Sequence, residues 1–290
     1  METKKIAVIG LGLIGGSILR GLQDKGYNLL GVARREETIN QALQEKLISK
    51  GSTELDICCE ADIIFICTPI NKTVETVDKL SVVISPDTIV TDVASLKGDI
   101  MSHVNKKHPA MKFIGGHPMA GTENKGLDSS FAELFSGAKW VLTPPNIILK
   151  EDIEILSAII GQLGAKVIMA DPEKHDRAVA LISHMPLLLS QSLFGTVDTH
   201  PDMQLSELAI KLAASGFRDM TRLAATNPEL AKDMLCNNKD NVLEAIKELT
   251  EYLSKLEKKL VEDESAFVET IEKLACSRKK MYSSEGKNLL

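Results

Sequence analysis

Ile6-Ala7-Val8-Ile9-Gly10-Leu11-Gly12-Leu13-Ile14-Gly15-Gly16-Ser17 is the stretch that decides the fold. An apolar, largely β-branched run enters Gly10-x-Gly12-x-x-Gly15 and then passes into helical spacing at Ile18, Leu19 and Leu22. Strand, glycine turn and helix in that order suit the pyrophosphate of a dinucleotide. Gly10 permits the tight turn, Gly12 lets the backbone approach the phosphates, and Gly15 lets the helix pack on the strand. Leu13 and Ile14 open the helix, whose unpaired N–H groups and partial positive charge favour an anion. Gly10, Gly12, Leu13, Ile14 and Gly15 are therefore expected to hold a cofactor. A purely structural glycine turn is the alternative, and the strand and helix on either side weigh against it.

Outward from this turn, strand-like apolar runs at 6–9, 29–33, 63–67, 89–91, 113–114, 140–142 and 166–169 alternate with helical patterns. Continuous apolar strands separated by helices imply a parallel sheet covered on both faces. From Asp171-Pro172, an N-cap followed by proline, helical spacing takes over. Two domains are expected: an α/β, Rossmann-type doubly wound sheet over 1–170, and an all-α domain over 171–290. Leu181, Leu187, Leu188, Leu189 and Leu193 give one helix that is apolar around much of its circumference, which predicts burial. Wide apolar faces of this kind suit a symmetric homodimer.

Composition sets the limits of function. The 290 residues carry a formal charge of -6, which argues against a nucleic-acid partner. Five cysteines without metal-ligand spacing suit reduced thiols in a cytoplasmic protein, and no metal site is expected. Met1-Glu2-Thr3-Lys4-Lys5 is too short and polar for a signal peptide, and no apolar run approaches the ~20 residues that span a bilayer.

The cofactor can be narrowed. An NAD site places Asp or Glu at the end of the second strand, for the ribose hydroxyls. Here Ala33 stands in that position and Arg34 and Arg35 follow, a pattern suited to the 2′-phosphate of NADP over NAD. The plainer reading makes both arginines solvated charges balanced by Glu36 and Glu37. Thr68 and Pro69, after the third apolar strand, are placed in a loop that covers the cofactor.

Three further clusters carry the chemistry. Asp92-Val93-Ala94-Ser95-Leu96-Lys97 and Gly115-Gly116-His117-Pro118-Met119-Ala120-Gly121-Thr122-Glu123 each follow a strand, where open α/β sheets bind ligands. Ser215-Gly216-Phe217-Arg218-Asp219-Met220-Thr221-Arg222 lies in the helical half. Taken with the glycine turn, these motifs resemble the prephenate/arogenate dehydrogenase family of tyrosine biosynthesis, from about residue 5 to about residue 282. The pattern is most similar to the cyanobacterial type of arogenate dehydrogenase.

The resemblance implies a homodimer and an oxidative decarboxylation. Hydride leaves C4 of a cyclohexadienol for the nicotinamide, the C4 hydroxyl loses its proton, and CO2 departs as the ring becomes aromatic. His117 is the expected proton acceptor, because an imidazole titrates near neutrality. Ser95 would hold the same oxygen and border the cofactor; otherwise it is a helix N-cap. Arg222 would bind the substrate carboxylate by its fork, with Arg218 as a second candidate. Glu123 and Asp219 would position Arg222, and Lys97 would contact the nicotinamide or substrate. His184 is read equally as a ligand contact or a structural residue, and His175 as structural. His103, His108 and His200 receive no role.

Two departures bear on the substrate. Leu187 stands where many prephenate enzymes carry a second histidine, and Ala231 falls about where many carry a tryptophan. Both remove groups expected near a keto-acid side chain, which favours arogenate over prephenate. Nothing after Tyr282 suggests a regulatory or chorismate mutase domain, so a monofunctional chain is expected. A β-hydroxyacid dehydrogenase is the alternative enzyme, but it would need a catalytic lysine in the helical half. A non-catalytic NADP-binding regulator would have no need of Ser95, His117 and Arg222 together.

Overall fold

The computed structural model describes residues 3–122 and 124–285. It divides into two compact units, Met1–Val179 with Ala225–Asn237, and Ala180–Ala224 with Asn238–Leu290. The sequence changes rhythm at 170/171, yet the first unit runs on to Val179. The reason is local: His175 and Asp176 hydrogen-bond to His117, Lys97 and Gly98 of the sheet unit.

The first unit is built on one eight-stranded sheet in the order β3-β2-β1-β4-β5-β6-β7-β8. Its strands are β1 (Lys5–Ile9), β2 (Asn28–Val32), β3 (Lys50–Ser52), β4 (Ile63–Ile66), β5 (Ile89–Asp92), β6 (Phe113–Pro118), β7 (Lys139–Thr143) and β8 (Lys166–Met169). The first six are parallel in the 3-2-1-4-5-6 order of dinucleotide-binding sheets. β7 reverses, running antiparallel to β6, and β8 is parallel to β7. The sheet is parallel over its first six strands, as expected, and turns mixed only at β7, because apolar content marks a buried strand but carries no sign of its direction. β3 was not expected at all: Lys50-Gly51-Ser52 has no apolar run to announce it.

Side-chain alternation gives the sheet its two cores. Ile6, Val8, Ile63 and Phe65 face one side, with α1 (Leu13–Leu22), α2 (Glu36–Gln44) and α5 (Lys150–Gln162). Ala7, Ile9, Ile64 and Ile66 face the other, with α3 (Ile70–Leu80) and α4 (Gly98–Lys107). Helices on both faces make the doubly wound arrangement. The unit also holds α6 (Pro172–Val179), whose Lys174 amide donates to the Asp171 carboxylate at 3.0 Å as the N-cap requires.

The second unit is helical. A π-turn (Ala180–His184) leads into α7 (Met185–Asp198), followed by α8 (Met203–Leu212) and α9 (Ser215–Thr221). α10 (Pro228–Asn237) belongs to the first unit, and α11 (Lys239–Glu262) and α12 (Glu264–Glu285) complete the second. The apolar helix is less buried than its sequence predicts. Leu187 is enclosed, but Ile182, Leu189 and Phe194 are exposed, as are Met203, Leu208 and Leu212 on α8. Residues Pro172–Asp198 also form one continuous helix that by length and composition alone could cross a bilayer, which no apolar run in the sequence suggested. It carries buried His175, Asp176 and His184, ionisable groups that a lipid-exposed span accommodates at considerable cost.

Candidate active site

The glycine turn sits where the strand order reverses, between β2 and β4. The Gly10 amide donates to the Val32 carbonyl at 2.8 Å, and the Cys67 amide donates to the Ile9 carbonyl at 2.7 Å. Gly10 has φ +98, and a Cβ there would lie 2.5 Å from the Cys67 oxygen. A Cβ on Gly15 would lie 2.1 Å from the Gly10 oxygen, so helix and turn are in direct backbone contact. Gly12 differs: a Cβ there would meet nothing within 4 Å. Gly12 is the N-cap of α1, with no capping side chain and no acidic residue in the first turn. The positive helix end at Leu13 and Ile14 carries no acidic residue in its first turn, and the residues present fit a dinucleotide pyrophosphate.

The cradle's rim has two further features. Thr68 Oγ1 is buried without a hydrogen-bond partner among the described residues, and Pro69 beside it caps α3. Ala33 is buried directly after β2, while Arg34 and Arg35 are exposed. Glu36 and Glu37 beside them are exposed as well.

β5 ends on Asp92, which is fully buried. Its carboxylate accepts from the Ala94 amide at 3.0 Å, from the Gly116 amide at 3.0 Å and from the Lys97 ammonium. Lys97 is itself fully enclosed. Burial pulls the Lys97 pKa down, and the Asp92 charge opposes that pull. Expected to contact a ligand, Lys97 instead turns inward onto Asp92, because only a carboxylate can compensate an ammonium at that depth. The pair ties the end of β5 to the strand that bears His117. Gly116 must lack a side chain here, since a Cβ would stand 2.5 Å from the Asp92 carbonyl.

His117 lies near the end of β6, opposite Val141 of β7. Its Nδ1 is 2.9 Å from Nε2 of His175, and the rings meet edge to face. His175 Nδ1 in turn lies 2.7 Å from Oδ1 of Asp176. The order fixes the tautomers. A carboxylate only accepts, so His175 carries its proton on Nδ1 and its Nε2 accepts from the Nδ1–H of His117. With both imidazoles neutral in this arrangement, the His117 proton sits on Nδ1 and its lone pair on Nε2. Asp176 also takes the amides of Lys97 at 2.8 Å and Gly98 at 2.7 Å. It therefore caps α4 and leaves Ser95 two residues upstream, half-buried and not the N-cap that one reading of the sequence made it. His175, read as structural, is in fact the neighbour of His117.

The second unit holds the remaining candidates. Arg218 Nε pairs with Asp219 Oδ1 at 3.1 Å, and both side chains are exposed. Arg222 follows α9 at the start of a short 3-10 turn and is exposed. His184 is enclosed, with Nδ1 3.1 Å from the Asn238 side-chain amide, whose oxygen accepts from Asn241 at 2.8 Å. Asn238 donates to Nδ1, which places the His184 proton on Nε2. Glu123 lies outside the described residues.

Comparison with known proteins agrees with this arrangement. The prephenate dehydrogenase nucleotide-binding domain family model matches residues 18–169, and the prephenate dehydrogenase dimerization domain model matches residues 171–273. A prephenate dehydrogenase of Bacillus subtilis is 32% identical over 266 residues, covering 90% of this chain and 71% of the relative. The crystal structure of Synechocystis arogenate dehydrogenase superposes with a TM-score of 0.90 at 36% identity, covering 96% of this chain and 99% of that one. Prephenate dehydrogenase from A. aeolicus, solved with hydroxyphenyl propionate and NAD+, gives 0.86 at 28% identity over 97% and 99%. With both halves matched in order, a dinucleotide cradle in place and a polarised histidine at the end of a neighbouring strand, the chain belongs to the prephenate dehydrogenase family.

Proposed function

We propose that this chain oxidises L-arogenate to L-tyrosine with loss of CO2, using NADP. The observation that carries the reading is the ordered line Asp176–His175–His117, which leaves a basic Nε2 on His117. The nicotinamide, when bound, accepts hydride from C4 of the substrate. His117 Nε2 takes the proton of the C4 hydroxyl as that carbon is oxidised. The positive charge this creates is opposed by Asp176 through the His175 imidazole, as a buried carboxylate steadies an imidazolium elsewhere. The substrate carboxylate departs as CO2, and its bonding electron pair enters the ring, which becomes aromatic.

Ser95 orients the hydroxyl, Arg222 holds a substrate carboxylate, and Asp219, Arg218 and Glu123 set the charge around it. His184 is a further candidate contact for the substrate, with a structural role as the alternative. Gly10, Gly12, Leu13, Ile14 and Gly15 hold the pyrophosphate, with Thr68 and Pro69 at its rim. Arg34 and Arg35 take the 2′-phosphate beside Ala33, where an NAD site would want an acid. Buried Leu187 and Ala231 offer no polar group to a keto acid, which supports arogenate. Prephenate is the second reading, favoured by the name of the Bacillus subtilis relative.

The protein works as a homodimer in this reading, its partner covering the exposed Ile182, Phe194, Leu208 and Leu212. A cytoplasmic location suits its five free cysteines. Initial rates with each substrate and each cofactor, followed by the absorbance of the reduced nicotinamide, test the proposal. Higher kcat/KM for arogenate with NADP is expected; higher values for prephenate, or for NAD, overturn the corresponding half.

A further inference from the structure

We propose that Asp78, His103 and His108 form a binding site for a zinc-class divalent cation. Nε2 of His103 and Nε2 of His108 lie 2.7 and 2.6 Å from the same oxygen, Oδ1 of Asp78. One donor atom from each residue falls within 4.8 Å of the others. The three come from two neighbouring helices: Asp78 from the last turn of α3, His103 from α4 and His108 from its C-cap. No spacing motif announces the cluster, which is why the sequence suggested no metal site.

The donor set points to the ion. Two imidazoles and one carboxylate match zinc and its borderline neighbours, whereas magnesium and calcium demand oxygen. Zinc bonds to nitrogen and oxygen ligands run ~2.0–2.2 Å, so small side-chain movements around the present geometry would seat it. The imidazoles are 18% exposed and Asp78 is 40% exposed, so water can complete a tetrahedron. Zinc would take the Nε2 lone pairs of two neutral imidazoles whose protons have moved to Nδ1, and the site would carry one net positive charge. The Lys107 charge acts on Asp78 and works against the cation, so affinity should fall short of that of all-cysteine structural sites.

Location sets the role. α3 and α4 each run back from the end of a parallel strand, so their C-terminal ends lie at the edge where the strands begin. Gly10 and His117 lie towards the opposite edge. Bound zinc would staple α3 to α4 without touching the cradle or the base, raising stability and leaving turnover alone.

Chelator-treated full-length protein titrated with zinc chloride by calorimetry gives the test, alongside the His103→Gln/His108→Gln double variant and Asp78→Asn. The wild type should take up one more zinc per chain than the double variant, and its melting temperature should rise with zinc. Cobalt should give the visible absorption of a tetrahedral site in the wild type and at least tenfold less in the variants. The metal-free variants should turn over substrate at the wild-type rate. Equal zinc uptake with equal midpoints in wild type and variants would overturn the proposal, as would a zinc-dependent melting shift that survives in all of them. If the double variant fails to fold, Asp78→Asn supplies the same comparison.

Discussion

His117 and His175 stand edge to face with Nδ1 of one 2.9 Å from Nε2 of the other, although 58 residues of chain separate them. Replacing His117 by Ala should lower kcat on the order of 10²–10⁴-fold, as loss of a positioned base does. His175→Leu should cost less, about 10–10²-fold, because the base remains but loses the acceptor that selects its tautomer. His175→Gln keeps an acceptor and should recover part of the rate. Wild-type kcat in both His175 variants would reduce that residue to packing.

Cofactor choice should turn on the end of β2. Ala33→Asp combined with Arg34→Leu supplies an acceptor for ribose hydroxyls and removes a phosphate fork. The ratio of kcat/KM for NADP over NAD should fall at least tenfold, about 1.4 kcal/mol of discrimination. A ratio that does not move would place the selection elsewhere in the cradle.

The buried pair Asp92–Lys97 makes a third test. Lys97→Met leaves a carboxylate enclosed with only the Ala94 and Gly116 amides, and should destabilise by about 3–5 kcal/mol. Adding Asp92→Asn removes the uncompensated charge, so the double variant should melt above the single one. Chemical denaturation reads both. A Lys97→Met protein as stable as wild type would mean that the ammonium contributes nothing to the enclosure.

Much of the first unit is legible in its sequence because buried strands and glycine turns leave local marks. Gly10-x-Gly12-x-x-Gly15 announces the cradle, and apolar runs announce seven of the eight strands. What escapes is non-local. The direction of β7 depends on its neighbour, and β3 is held by backbone pairing to β2 rather than by apolar side chains. Lys97 reads as an exposed charge until Asp92 and the packing around it are seen. His175 and Asp176 look like a helix's first turn, and only folding brings them to His117. The exposed apolar residues of α7 and α8 reflect the same limit, since a single chain's periodicity cannot say whether its own chain or another covers a face.

Adjacent cysteines should differ sharply in reactivity. Cys58 is fully buried and burial pushes its thiol up to about 12, whereas Cys59 is exposed. A thiolate-selective reagent at mildly alkaline pH should label Cys59 in the native protein, and Cys58 only on unfolding. Peptide mapping after timed labelling distinguishes the two. Equal rates would mean that the 3-10 turn Leu55–Glu60 opens readily.

The bond from His175 to His117 also says where the chain cannot be cut. The two family models meet near residue 170, and a truncation there would keep the glycine cradle, Ser95 and His117. It would also discard the imidazole behind the base and the carboxylate that caps α4. Such a fragment would keep the glycine turn yet carry His117 without its His175 neighbour and a helix start with two amides deprived of their acceptor. Ancestry and chemistry therefore draw their borders at different residues, and exchanging domains between relatives at residue 170 would pair one protein's base with another's relay.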